Sequence, residues 1–174
     1  MKDLKSAIRT IPDFPKPGIQ FRDITTLCLD PEAMKQAIGE LIKSLDGLEV
    51  DAILGLDSRG FMFATPMSYL MDKPFIPVRK AGKLPGETER ISYDLEYGAA
   101  EIEVHKEHIK PGMKVVMVDD LLATGGTMDA AIKLVEKLGA VVVKVLFVIE
   151  LPDIGGRKLL EGYDVLSLVS FEGD

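Results

Sequence analysis

Two adjacent carboxylates, Asp119 and Asp120, stand just ahead of a short turn, Thr124-Gly125-Gly126-Thr127. An apolar, β-branched run, Val115-Val116-Met117-Val118, precedes the acids and reads as a strand buried on both faces. Adjacent carboxylates are costly at the buried end of such a strand, so they are expected at its carboxyl edge, where open α/β sheets hold ligands. After the turn, Ile132, Leu134, Val135 and Leu138 recur at near-helical spacing. Gly125 and Gly126 can take positive φ and admit a ligand close to the backbone, and Thr124 and Thr127 add hydroxyls beside the free amides of the first helical turn. Those amides and the helix dipole favour an anion. No Gly-Lys-Ser/Thr closes the turn and the three-glycine dinucleotide spacing is absent, so it is neither a Walker A loop nor a dinucleotide fingerprint. The acids would repel a bare phosphate. A phosphorylated sugar, with hydroxyl donors a few ångströms from its anionic end, satisfies both halves of the motif.

The elements that must carry this motif alternate along the chain. Strands are expected over residues 52–56, 74–78, 115–118, 141–149 and 165–169. Asp30-Pro31 caps a helix whose Met34, Ala37, Ile38, Leu41, Ile42 and Leu45 share one face; Gly47 stops it. Residues 60–71 read as a second helix, which Pro66 either starts or kinks. Residues 4–11 read as a short helix stopped by Pro12, and residues 14–18 as an irregular segment whose neighbouring aromatics, Phe14 and Phe21, cover something. Residues 81–100 suggest a hairpin excursion with arms at 91–95 and 100–105, and Gly155-Gly156 a plain turn. Strands alternating with helices imply an α/β fold with a mostly parallel sheet flanked by helices. Three further loops leave strand ends: Asp57-Ser58-Arg59-Gly60, Arg79-Lys80, and Glu150-Leu151-Pro152-Asp153.

Composition sets the outer bounds. At 174 residues, 47% hydrophobic and 28% charged, the chain suits one domain spanning residues 1–174. A formal net charge of -7 argues against nucleic acid as a partner, while a local basic cleft can still hold a polyphosphate. Cys28 is the only cysteine, which excludes an intrachain disulfide and a thiolate metal cluster. Residues 1–5 have no apolar segment behind them and the longest apolar run, residues 141–149, is broken by Lys144, so neither a signal peptide nor a membrane span is expected, and the cytoplasm is the default location. His105 and His108 are read as structural.

The segment 115–127 resembles the phosphoribosyl-pyrophosphate motif of the type I phosphoribosyltransferases, in the form found in the adenine phosphoribosyltransferases. The likeness extends through Phe14-Pro15-Lys16-Pro17-Gly18, Phe21-Arg22-Asp23, residues 55–61, Arg79-Lys80, Lys83-Leu84-Pro85-Gly86 and Leu95-Glu96-Tyr97-Gly98, nearly the whole chain in order. It implies a hood over residues 1–30, a mobile lid over 81–100 and a cis Asp57–Ser58 peptide. It also implies transfer of the 5-phosphoribosyl group from phosphoribosyl pyrophosphate to N9 of adenine, with AMP and pyrophosphate as products.

The resemblance assigns the roles. Asp119 and Asp120 hold the ribose hydroxyls, and Ala123, Thr124, Gly125, Gly126 and Thr127 the 5-phosphate. Asp57, Ser58 and Arg59, with Arg79, Lys80 and Lys83, receive pyrophosphate. Glu96 handles the proton at the base, beside Tyr97 in the lid. Gln20, Phe21, Arg22 and Leu151 hold adenine, and Gln20 departs from the apolar residue expected there. Mg²⁺, held mainly by substrate and water, and a homodimer are implied too. Two alternatives stay open on the residues: a 6-oxopurine enzyme, and a non-catalytic sensor of purine or phosphoribosyl pyrophosphate. The sensor would need a nucleic-acid-binding element, and no helix-turn-helix pattern or basic stripe precedes the first core helix.

Overall fold

A computed structural model describes residues 1–95 and 98–173. The chain opens with a two-stranded antiparallel ribbon, β1 (Arg9–Pro12) and β2 (Gln20–Asp23), followed by helices α1 (Thr25–Leu29) and α2 (Pro31–Lys43). Then come β3 (Ala52–Leu56), α3 (Phe61–Met71), β4 (Phe75–Lys80), β5 (Thr88–Leu95), β6 (Gly98–His105), β7 (Lys114–Leu122), α4 (Gly126–Lys137), β8 (Val141–Glu150) and β9 (Val165–Ser170). The seven strands from β3 onward form one sheet in the order β5-β6-β4-β3-β7-β8-β9. The five from β4 to β9 run parallel, and the β5–β6 hairpin adds antiparallel to the β4 edge through Arg79↔Glu103 and Lys80↔Ile102. The α/β expectation of a mostly parallel sheet therefore holds.

Burial on both faces explains the apolar runs. Along β7, Val116 and Val118 face the cluster formed with α2 and α3, while Val115 and Met117 face the cluster that holds Ile132, Leu134 and Val135 of α4. The Asp30 carboxylate accepts from the amides of Glu32 (3.0 Å) and Ala33 (3.2 Å), which starts α2 as the sequence indicated. Pro66 lies inside α3 rather than at its start. Residues 4–11 do not form the expected helix: Leu4 and Ile8 are buried through turns, and the chain then extends as β1 because β2 supplies its backbone partners. The acid pair also sits inside β7, which runs on to Leu122 because β8 continues to pair with it as far as Glu150.

From β3 the chain steps to β4 on one side, and from β7 it steps to β8 on the other. The boundary between β3 and β7 is thus the switch point of the sheet, where loops from neighbouring strands diverge and open a crevice at their carboxyl ends.

Candidate active site

Two loops face each other across that crevice. One follows β3, where the Asp57–Ser58 peptide is cis, as the resemblance implied. It lies low over the sheet: a Cβ on Gly60 would come within 2.7 Å of the carbonyl oxygens of both Leu56 and Val118. The other follows β7 and enters α4 through Gly125, at φ 81°, with no side chain capping the helix. The first-turn amides of α4 therefore face the crevice with their usual partners missing.

The acid pair lies between the loops. Asp120 is 4% exposed and its Oδ2 meets Arg59 Nε at 2.9 Å; the Asp120 amide donates to Asp119 Oδ1 at 2.8 Å. Burial pushes the Asp119 carboxyl well above the usual carboxylate range, and the charge of Asp120 pushes the same way. Burial also raises Asp120, with the Arg59 guanidinium opposing it. Such a pair is short of donors and positive charge, which a ligand with hydroxyl groups would provide.

The space around the pair divides into two adjoining cavities. One of about 200 Å³ is lined by Arg59, the acids and residues 121–128. The other, about 160 Å³, is lined by Asp57, Ser58, Arg59, Lys80, Tyr93, the acids and Thr127 among others. Arg59, Asp119, Asp120 and Thr127 border both. Arg79 stands behind the second cavity, with its Nε 3.0 Å from Asp57 Oδ2. Lys83 is exposed and does not line either cavity; its amide is bound instead to the buried Glu103 carboxylate at 2.9 Å. Glu96 and Tyr97 lie outside the described residues.

The family model described as phosphoribosyl transferase domain matches residues 28–170. An adenine phosphoribosyltransferase of Agathobacter rectalis is 60% identical over 173 residues, 99% of each chain. The crystal structure of adenine phosphoribosyltransferase from Thermoanaerobacter pseudethanolicus superposes with a TM-score of 0.93 at 49% identity, covering 97% of this chain and 98% of that one. The enzyme of the same name from Saccharomyces cerevisiae, solved with adenine and an imino-altritol bisphosphate, gives 0.91 at 38% identity, covering 96% and 97%. The chain belongs to the adenine phosphoribosyltransferase family.

Of the residues that the family likeness assigned to the base, Phe21 is linked to the acids through Arg59. Phe21 on β2 meets Phe14 edge-on, with centroids 5.2 Å apart, and the Arg59 guanidinium lies 5.8 Å from the Phe21 ring centroid. Arg59 thus joins the ribbon to Asp120. Gln20 pairs with Pro12 across the ribbon and is half-buried. The Arg22 side chain donates to Thr10 Oγ1 at 2.7 Å and lies over the Phe171 ring. Leu151 is anchored by its amide on the Leu122 carbonyl at 2.9 Å and packs in the apolar cluster behind the ribbon.

Two residues at this candidate site have no sequence signal. Gly156 belongs to the turn that the sequence marked as plain, yet a Cβ there would lie 2.1 Å from the Ala123 carbonyl oxygen and 2.8 Å from Gly125 N. It braces the glycine turn from behind. Tyr93 comes from the middle of the hairpin and reaches Thr127, its oxygen 3.2 Å from Thr127 Oγ1.

Proposed function

We propose that this protein transfers the 5-phosphoribosyl group from phosphoribosyl pyrophosphate to N9 of adenine, forming AMP and pyrophosphate, the chemistry of purine salvage. The observation that carries the reading is the acid pair on β7, Asp120 buried and Asp119 half-buried, flanked by the glycine turn in one cavity and by Asp57, Ser58 and Lys80 in the other. That spacing suits a sugar with a phosphate at one end and a diphosphate at the other. The names of the relatives and the adenine in the yeast structure supply the base. Residues 1–174 act as one domain, with residues 1–30 as hood and 81–100 as lid.

In this scheme adenine N9 bonds to C1 of the sugar as the C1–O bond to pyrophosphate breaks, and the N9 proton passes to Glu96. Positive charge grows at C1 and negative charge on the leaving group. Asp119 and Asp120 accept from the ribose hydroxyls and set negative charge beside C1, a preorganised stabilisation that removal of one group typically reveals as about 10²–10³ in rate. Thr124, Thr127 and the amides from Ala123 through Gly126 hold the 5-phosphate, while Arg59, Lys80 and the loop at Ser58 receive pyrophosphate, joined by Arg79 and Lys83 as the lid closes. Phe21 stacks on the base, with Gln20, Arg22 and Leu151 around it.

Mg²⁺ fits this donor set as a substrate-borne ion. Among the described residues no group of three or more His, Cys, Asp and Glu could cage a metal, and Asp120 is already paired with Arg59. The ion would be held by ligand oxygens and water beside Asp119 and Asp120, and when bound it neutralises phosphate charge. A homodimer is part of the proposal. The outer face of α3 carries Tyr69 at 85% and Leu70 at 63% exposure, apolar surface of the kind that subunits cover. Sedimentation at micromolar concentration checks it, and a monomer there would remove the dimer. No described helix is long and apolar enough to cross a membrane. The cytoplasm remains the default location expected from the sequence; activity found only in a membrane or secreted fraction would move it.

The test is incubation with Mg²⁺, phosphoribosyl pyrophosphate and each purine base in turn. Pyrophosphate release with adenine is expected; release only with hypoxanthine or guanine, or binding without turnover, would overturn the assignment.

A further inference from the structure

The hairpin is tied to α4 at two places. At one end Lys137 Nζ meets Glu89 Oε1 at 2.6 Å on the protein surface. At the other, the hydroxyls of Tyr93 and Thr127 are 3.2 Å apart at the border between the two cavities. Four residues of strand separate Glu89 from Tyr93 and ten of helix separate Thr127 from Lys137, spans of about 13 and 15 Å. β5 therefore lies along α4, with Tyr93 at the ligand end.

A single bond between two hydroxyls uses one of their two hydrogens. Whichever group donates, one O–H remains, and among the described residues neither hydroxyl has a second acceptor. Thr127 Oγ1 is the donor of the pair, so the surplus O–H is that of Tyr93, beside the first turn of a helix whose N-terminus faces the crevice. Tyr93 is also half-buried against the apolar cluster that contains Ile102 and Val104, so its ring is already held in position.

The geometry points to Tyr93 as a further substrate-contacting residue, whose phenolic O–H, with its oxygen held by the Thr127 hydroxyl, donates to the monophosphate end of the sugar ligand and thereby pins the hairpin to an occupied site. The inference rests on the proposed function, because it takes the ligand at the glycine turn to be a sugar phosphate. Tyr93 also lies three residues before Glu96 along the sequence. A phosphate that holds Tyr93 would thus hold the segment leading to the residue assigned to the base.

Tyr93→Phe keeps the ring and removes only the oxygen. The measurement is inhibition, competitive with phosphoribosyl pyrophosphate, by ribose 5-phosphate, which has only the monophosphate end, and by pyrophosphate, which has only the other. Tyr93→Phe is expected to raise the KM for phosphoribosyl pyrophosphate and the inhibition constant for ribose 5-phosphate about tenfold, as loss of one hydrogen bond to a charged group does. The constant for pyrophosphate, the KM for adenine and the Tm should stay within about twofold or 2 °C of the parent values, on the same account of one lost bond. An unchanged ribose 5-phosphate constant would overturn the inference, as would equal weakening of both inhibitors. Glu89→Gln, which loosens the other tie without approaching the cavities, should leave ribose 5-phosphate inhibition alone; an effect equal to that of Tyr93→Phe would reduce Tyr93 to a mechanical support and overturn it too. Failure of ribose 5-phosphate to compete in a parent protein that turns over adenine would also overturn the inference, whereas absence of turnover with adenine would instead refute the proposed function itself.

Discussion

Asp119 carries the sharpest conflict between stability and chemistry in the molecule. Its carboxyl is raised by burial and by Asp120, so between its ordinary range and that raised value the folded state holds a proton that the unfolded state has lost. Stability accordingly falls as pH rises through that window, and at neutral pH the acid destabilises the free protein. Asp119→Asn should raise the thermal midpoint at pH 7, by about 2–4 °C for each kcal/mol regained in a chain of this size. The gain should shrink as pH falls below the raised value, while turnover drops by about 10²–10³. A midpoint lowered at pH 7 would remove the argument that the site is strained for want of a ligand.

Among the elements, the glycine turn depends on a second turn far along the chain. Arg157 grips the Glu150 carboxylate with two nitrogens, one at 2.8 Å, and donates to the Val165 carbonyl at 2.9 Å. This clamp fixes the short connection from β8 in which Gly156 meets Ala123. Gly156→Ala would force the phosphate turn outward, since its Cβ would stand 2.1 Å from a backbone oxygen. We expect a stability loss of about 1–3 kcal/mol, the usual cost of overpacking, and a KM for phosphoribosyl pyrophosphate raised at least about tenfold through the displaced phosphate-binding amides. Gly162→Ala is the control: its φ of 94° is strained for alanine, but nothing lies within 4 Å, so stability should fall without a change in KM. Equal KM values for the two variants would contradict the bracing role.

Taken as a whole, the molecule combines acids of opposite behaviour. Burial acts to raise the Glu103 carboxyl, but donors from Leu84, Thr88, Lys83 and Arg90 outweigh it and hold it below the usual range. Glu150 is lowered chiefly by Arg157, and Asp23 by Thr25 and then Arg9. These three contribute stability that is fully present above their unfolded values, near 4.5 for the glutamates and 3.8 for Asp23, and is lost as pH falls through their lower folded values. Asp119 and Asp120 act in the reverse sense at higher pH. Urea unfolding across pH should therefore give a maximum on the acid side of neutrality and a steep loss below about pH 4. Stability that kept rising below pH 4 would contradict the assignment of Glu103, Glu150 and Asp23 as ionised anchors.

What the amino-acid sequence determined by itself is what neighbours along the chain can encode: a strand, a glycine turn and a helix in succession, the Asp30 cap, and the alternation that implies a parallel sheet; that the strand runs on through the acid pair was decided by its pairing with β8. Each rests on a period or a turn requirement fulfilled within a dozen residues. Only the tertiary structure decided that Arg59 reaches Asp120 and Phe21, that Gly156 braces the turn at Ala123, that Tyr93 meets Thr127, and that residues 9–12 extend instead of coiling. Those contacts join positions brought together by sheet order, and no local pattern records which distant backbone will supply the missing partner or fill the last 2 Å of space.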